Sequence, residues 1–176
     1  MKTVFSGVPG MSTMNIDRFR RAVLDLFAEA CEGPAEAWTW FVTHGDPNAG
    51  LFGTLAQLTA REASTPATEG GNTIAAHTEH LRWSLAFANT YFRGEVPEQS
   101  WEQSWAVQTV DDEQWKRLQA ELRRQYHTLH RAIERHSDWS DEMFLRGTMA
   151  TIPHAAYHLG AIRQLVRILR GSPKTD

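Results

Sequence analysis

Two histidines four positions apart, His154 and His158, lie in an apolar-periodic segment near the end of this sequence. A gap of four residues places two side chains on one face of a helix, one turn apart. Both imidazoles can then approach a single ion, which is the local geometry of a divalent-metal site. A second pair, His77 and His80, lies far upstream in another apolar-periodic segment. If two helices bring these segments together, three histidines converge inside a bundle.

The helical register decides which upstream histidine is the better candidate. His77 shares the register of Leu81 and Leu85, so we expect it to face the core more squarely than His80. His80, one step round the helix, is then a group that supports a ligand or an alternative ligand. The metal ligands predicted from the sequence are His77, His154 and His158.

The residue types around these histidines narrow the chemistry. Ala155 and Ala156 stand where a zinc protease of the His-Glu-x-x-His type carries its base, so a protease is disfavoured. Three neutral imidazoles would leave open positions on an ion, which is typical of catalytic sites. Two alternatives remain: a module that binds metal or a small ligand without turnover, and a metal-free bundle whose histidines hydrogen-bond to one another and to carbonyl groups.

We expect no catalytic or metal-binding role for the remaining histidines or for the single cysteine. His127, His130 and His136 fall on the third predicted helix, where we expect them to be solvated or to match the helix dipole. His44 lies in a predicted turn and receives no role. Cys31 lies on an apolar stretch of the first helix, where a buried inert thiol is expected.

The composition is that of an ordinary globular domain. The chain has 176 residues, of which 41% are hydrophobic and 22% charged, so one domain with one core is expected. A formal net charge of -3 argues against a nucleic-acid partner, since such proteins usually carry a basic surplus. We find no apolar run long enough to span a membrane and no signal peptide, and therefore expect a cytoplasmic protein with no membrane partner.

Apolar residues at helical spacing predict four long helices. The first is capped by Asn15 or Asp17 and ends at Gly33. The second, capped by Asn72, covers about residues 73–92, and the third follows a near capping box at residues 111–114 and runs to about residue 136. The last covers about residues 152–170, with Pro153 in its first turn and a stop at Gly171.

Less regular segments complete the predicted domain of residues 15–171. Residues 35–43 fit a helix, although residues 38–42 also fit a short strand; residues 45–50 fit a turn, and residues 51–61 fit another short helix. A further short helix is expected from Ser140, its cap, to Leu145, closed by Gly147. The other segments are a loose arm at residues 1–14, a tryptophan-rich connection between the second and third helices, and a tail at residues 172–176. Together these elements predict an all-α four-helix bundle with additional short helices.

Residues 74–81 and 154–164 together resemble segments of the DinB/YfiT-like superfamily of metalloenzymes, and residues 50–55 and 89–95 are also similar. The resemblance extends over about residues 15–170. It implies a four-helix bundle with one metal ligand from the second helix and two from the last, here His77, His154 and His158. It also implies one divalent ion, with zinc, nickel, iron and manganese all open, and a homodimer.

The resemblance extends to activity. Members with assigned activities are mostly metal-dependent transferases or isomerases that use low-molecular-weight thiols such as bacillithiol or mycothiol. We therefore expect a metal-dependent thiol S-transferase or a related hydrolase, acting on a small molecule. The residues suggest no separate general base. Candidate walls of the pocket are Trp83, Trp101 and Tyr157.

Overall fold

The computed structural model describes residues 16–96 and 100–171. The predicted arm at residues 1–14, the tail at residues 172–176 and the candidate cap Asn15 lie outside the described residues. Within the described ranges the elements are all helical, with no strand. They are α1 (Ile16–Glu32), α2 (Leu51–Ala56), α3 (Ala60–Ala63), α4 (Ile74–Phe92), a 3-10 helix (Glu102–Trp105), α5 (Asp112–Arg135) and α6 (Glu142–Arg170).

The four long helices form a bundle, which confirms the predicted fold class. α4 packs against both α5 and α6, and α1 packs against the same two helices. Their shared core is closed to solvent and includes Phe27, Leu81, Leu122, Tyr126 and Ile162. In the part of the chain that the structure describes, no helix is both long and apolar enough to cross a membrane.

Side-chain caps fix where the two central helices begin. The predicted capping box is present at α5: the Gln114 amide donates to Asp111 Oδ1 at 2.7 Å, and the Asp111 amide donates to Gln114 Oε1 at 2.9 Å. At α4 the cap is Thr73, whose hydroxyl accepts from the Ala76 amide at 3.2 Å. The predicted cap Asn72 is therefore wrong by one residue.

The first helix begins and ends close to the predicted positions. α1 starts at Ile16, so Asp17 lies in its first turn and is not its cap. It stops before Gly33, which has a φ of 111°. A Cβ at this position would lie 2.4 Å from the Pro47 carbonyl oxygen, so a residue without a side chain is required. Pro47 belongs to the segment predicted as a turn, and that prediction is confirmed.

The last helix is longer than predicted. A single helix runs from Glu142, capped by the Asp141 carboxylate, and passes through both Gly147 and Pro153. The separate short helix from Ser140 to Leu145 and the first-turn position of Pro153 are therefore wrong. Gly costs roughly 1 kcal/mol and Pro roughly 3 kcal/mol inside a helix. Packing of α6 along α1 and α4 offsets those costs, an effect that local sequence signals do not contain.

Residues 35–43 form neither the predicted helix nor the predicted strand, but a loop of turns and bends. The backbone amides of Phe41, Val42 and Thr43 all donate to the carboxylate of Glu29 on α1, at 2.7–2.9 Å. Because the Glu29 carboxylate accepts hydrogen bonds from these amides, the segment needs no helical or strand pairing to satisfy them. Likewise, residues 51–61 form two short helices, since Thr59 and Glu62 make a capping box that starts α3.

Glu29 thus stabilises the loop, and we predict that Glu29→Gln lowers the free energy of unfolding by about 1–3 kcal/mol. Burial alone would raise the pKa of this carboxyl, but the hydrogen bonds from residues 41–43 outweigh it and hold the pKa below 4.5. The contribution is therefore present above about pH 4.5 and lost as the pH falls through the lowered pKa. Urea unfolding at neutral pH measures it.

The matched control is Glu36→Gln, because the side chain of Glu36 is exposed on the same loop. We expect this control to change the free energy of unfolding by no more than about 0.5 kcal/mol. Equal stability of the Glu29 and Glu36 variants would contradict the role assigned to Glu29.

Candidate metal centre

Four histidines meet where α4 faces α6 beside the 3-10 helix. His77 and His80 come from successive turns of α4, and His154 and His158 from successive turns of α6. Each of His80, His154 and His158 offers a ligand atom, and these atoms all lie within 4.8 Å of one another. The two histidine pairs therefore come together, which is the condition under which the sequence predicted a shared site.

The separation of the two α6 imidazoles suits a shared ion. Nε2 of His154 lies 3.0 Å from Nε2 of His158. Two nitrogen ligands bound to one tetrahedral ion at about 2.0–2.1 Å lie roughly 3.3 Å apart. The two nitrogens thus need to move by only a few tenths of an ångström to bind one ion, so the residues present fit a divalent metal.

On α4 it is His80, and not His77, that faces the interior more squarely. His80 is 1% exposed, whereas His77 is half-buried. The expectation from the helical register was therefore wrong, and the reason lies in the connection between α4 and α5. Two tryptophans of that connection, Trp101 and Trp105, pack against the His80 ring with ring centroids 4.6 and 4.0 Å away. The His77 ring instead contacts His158, with the two Nδ1 atoms 3.0 Å apart.

Each histidine of the cluster has its Nδ1 atom within hydrogen-bonding distance of another side chain. The contacts are His80 with Ser104 Oγ at 2.7 Å, His154 with Ser84 Oγ at 3.2 Å, and His158 with His77 Nδ1 at 3.0 Å. Such contacts orient imidazole ligands, and none of the three involves the Nε2 atom of His80, His154 or His158. Neither serine was among the site residues predicted from the sequence. Ser84 lies one turn after His80, which is a weak signal, and Ser104 carries none.

Burial keeps these imidazoles neutral near pH 7. Desolvation lowers the pKa of all four, and repulsion between neighbouring imidazolium charges lowers it further for His80 and His158. The pKa falls to about 4 for His80 and to about 3 for His158. A neutral imidazole is the form that binds a metal ion, so the site needs no proton release from these groups at neutral pH.

Aromatic side chains surround the histidines. Trp105 stacks on His80 and Trp101 meets it edge-on, while Trp83 stacks beside the same ring at 6.4 Å between centroids. Tyr157 lies edge-on to His158 at 5.1 Å and is 67% exposed. The three predicted wall residues thus lie next to the cluster, and Trp105, which the sequence analysis did not assign to the wall, makes the closest ring contact with His80.

The other histidines and the cysteine lie outside the cluster. His44 and His127 are exposed, and His130 is half-buried. His136 is less solvated than expected: it caps the end of α5 and packs against Phe92 and Phe144, with its Nε2 2.5 Å from the Asp138 carbonyl oxygen. Cys31 is fully buried, and desolvation raises the pKa of its thiol, so a buried unreactive thiol is the right interpretation.

A comparison with known protein families gives a match. A protein-family model described as the DinB superfamily matches residues 49–162. The matched range contains all four clustered histidines and the connection between α4 and α5. No curated protein and no solved structure matches the chain.

The lowered histidine pKa values predict how the metal-free protein responds to acid. Because His80 and His158 have folded-state pKa values of about 4 and about 3, below the ordinary 6.5, the unfolded chain binds more protons in this window. The free energy of unfolding should therefore fall as the pH is lowered from about 6.5 to about 4. Denaturant titrations with a chelator present measure it.

The control for this pH series is His127→Gln, which removes an exposed histidine outside the cluster. It should keep the pH dependence of the parent chain, whereas His158→Gln should flatten it. A free energy of unfolding that stays constant across the window would contradict the buried neutral state of these imidazoles.

Proposed function

This chain belongs to the DinB superfamily, and we propose that it is a metal-dependent enzyme, a thiol S-transferase or a related hydrolase. We further propose that His80, His154 and His158 hold its divalent ion. The observation that carries the proposal is the convergence of three neutral, mostly buried imidazoles from two helices, with two Nε2 atoms 3.0 Å apart. The set predicted from the sequence contains His77 instead of His80; we propose His80 because it is the more buried of the two and its ligand atom lies within 4.8 Å of those of His154 and His158.

The ligand types support a catalytic rather than a closed structural site. Three protein ligands leave at least one position on a tetrahedral ion for water or a substrate atom. Imidazole accepts zinc, nickel, iron and manganese, so the ligand set does not choose among them. When bound, such an ion lowers the pKa of a coordinated thiol or water and so supplies a nucleophile near neutral pH.

Neighbouring side chains orient the proposed imidazole ligands. With Nε2 of His158 facing the ion, its proton resides on Nδ1 and is donated to Nδ1 of His77. The proton of His77 is then on its own Nε2. This contact fixes the ring of His158, and the Ser84 contact does the same for His154.

The aromatic walls suggest how a substrate would be received. Trp83 is buried beside His80, whereas Trp101 and Tyr157 are more than half exposed. Exposed rings next to a mostly buried cluster offer flat apolar surfaces to an electrophile, and burial around the imidazoles limits the access of bulk water. A low-molecular-weight thiol is the proposed co-substrate, and a homodimer the proposed assembly.

The first experiment is elemental mass spectrometry on protein purified without an affinity tag. We expect one divalent ion per chain in the parent protein and its loss in the His154→Ala/His158→Ala double variant. His80→Ala should also lose the ion, because this side chain belongs to the cluster. Retention of full metal content and full activity after His154→Ala would contradict the proposal.

The matched control is His77→Ala, on the same helix and three residues away. We expect it to keep metal at stoichiometric level but with affinity reduced by about tenfold, because it supports His158 without binding the ion. Loss of the ion in His77→Ala together with its retention in His80→Ala would restore the set predicted from the sequence.

A second candidate is a module that binds metal without turnover. It is favoured by the composition of the cluster, which in the described part of the chain contains histidines and no carboxylate. Turnover of electrophiles with a panel of thiols separates the two functions: metal without turnover supports the binding module. Absence of metal after incubation with zinc, nickel or manganese would support a metal-free role, in which the contacts from His77 to His158 and on to His154 satisfy the imidazoles.

A further inference from the structure

The hydroxyl of Ser104 lies between one imidazole and one backbone carbonyl. Its Oγ is 2.7 Å from Nδ1 of His80 and 2.6 Å from the carbonyl oxygen of Trp101, and the residue is fully buried. A carbonyl oxygen can only accept a hydrogen bond, so the hydroxyl proton of Ser104 is donated to Trp101. The same Oγ must then accept from His80, which requires a proton on Nδ1 of that histidine.

This arrangement fixes the state of the other ring nitrogen. A neutral imidazole carries one N–H, so a proton on Nδ1 leaves the lone pair of Nε2 free. His80 lies with its ring centroid 5.3 Å from that of His154 and 5.0 Å from that of His158. We propose that Ser104 is a positioning residue that holds His80 in the Nδ1–H tautomer and so makes Nε2 available as a metal ligand. This inference rests on the proposed function.

Hydrogen bonds hold the segment that carries Ser104 against the start of α4, so the position of the serine relative to His80 is fixed. The Thr73 hydroxyl donates to the Gln108 carbonyl at 2.7 Å, and the Thr73 amide donates to Gln108 Oε1 at 3.2 Å. Trp101 and Trp105 lie before and after Ser104 in the sequence, and both pack against the His80 ring. The Ser104 hydroxyl therefore links the segment between α4 and α5 to His80, one of the proposed ligands.

Ser104 differs in this respect from the second serine at the site. Ser84 Oγ lies 3.2 Å from Nδ1 of His154, a longer contact, and among the described residues no carbonyl group accepts from this hydroxyl to determine which of the two atoms is the donor. The Ser84 contact thus leaves the tautomer of His154 undetermined, whereas the Ser104 hydroxyl and the Trp101 carbonyl determine that of His80. His80 would then be the ligand prepared in advance of metal binding.

The test is nitrogen-15 NMR of the imidazoles in histidine-labelled, metal-free protein, combined with zinc affinity from competition with a chelating dye. The parent protein should show His80 protonated on Nδ1. Ser104→Ala should lose that preference, giving a mixture of tautomers, and should bind zinc about 10–100-fold more weakly. The NMR result does not depend on metal binding, so it decides the tautomer claim even if the proposed function fails.

Three variants serve as controls. Ser104→Thr keeps the hydroxyl and should restore both the Nδ1–H tautomer and the zinc affinity. Ser84→Ala removes a hydroxyl from the same site and should leave the His80 tautomer unchanged. Thr78→Val removes a buried hydroxyl that bonds to the Ile74 carbonyl of its own helix, and it should leave both measurements unchanged.

The outcomes separate cleanly. His80 protonated on Nε2 in the parent protein, or an unchanged tautomer in Ser104→Ala, overturns the proposal. A changed tautomer with unchanged zinc affinity also overturns it, since the serine would then not prepare a ligand. If the parent protein binds no zinc, the proposed function fails and the two NMR spectra alone decide the role of Ser104.

Discussion

The desolvation of imidazole groups between α4 and α6 is the constraint on which the rest of this structure depends. Burying a polar ring costs a few kcal/mol unless each nitrogen finds a partner. The molecule meets that requirement with two serine hydroxyls and a fourth histidine on the Nδ1 side of the cluster. Nε2 of His154 and Nε2 of His158 lie 3.0 Å apart instead, and a divalent cation is a suitable partner for neutral imidazole nitrogens.

The connection between α4 and α5 does more than join two helices. It supplies Ser104 to one histidine and two tryptophans that cover the same ring, and it is held to the start of α4 by Thr73. The bundle alone would leave this flank of α4 open to water. With this cover His80 is almost fully buried, whereas Trp101 and Tyr157 keep exposed aromatic surface beside the cluster.

A feature of this structure can be predicted from the sequence where local interactions determine it, and not where tertiary packing does. The α5 cap and the pairing of His154 with His158 follow from local spacing, and both agree with the structure. Which of His77 and His80 is more buried does not follow from local spacing, because it depends on packing by a segment without periodicity, and the burial expected from the helical register was wrong. The loop at residues 35–43 and the passage of α6 through Pro153 were also mispredicted, since a distant carboxylate and tertiary packing decide them.

X-ray absorption at the edge of the bound metal, on zinc-loaded protein, tests the metal centre most directly. It counts imidazole ligands and gives their distances without reference to activity. Our interpretation predicts three imidazole nitrogens at about 2.0–2.1 Å and at least one further light ligand from water or buffer. Four imidazoles would make the site closed and structural, and fewer than two would mean that the histidine cluster does not hold the ion.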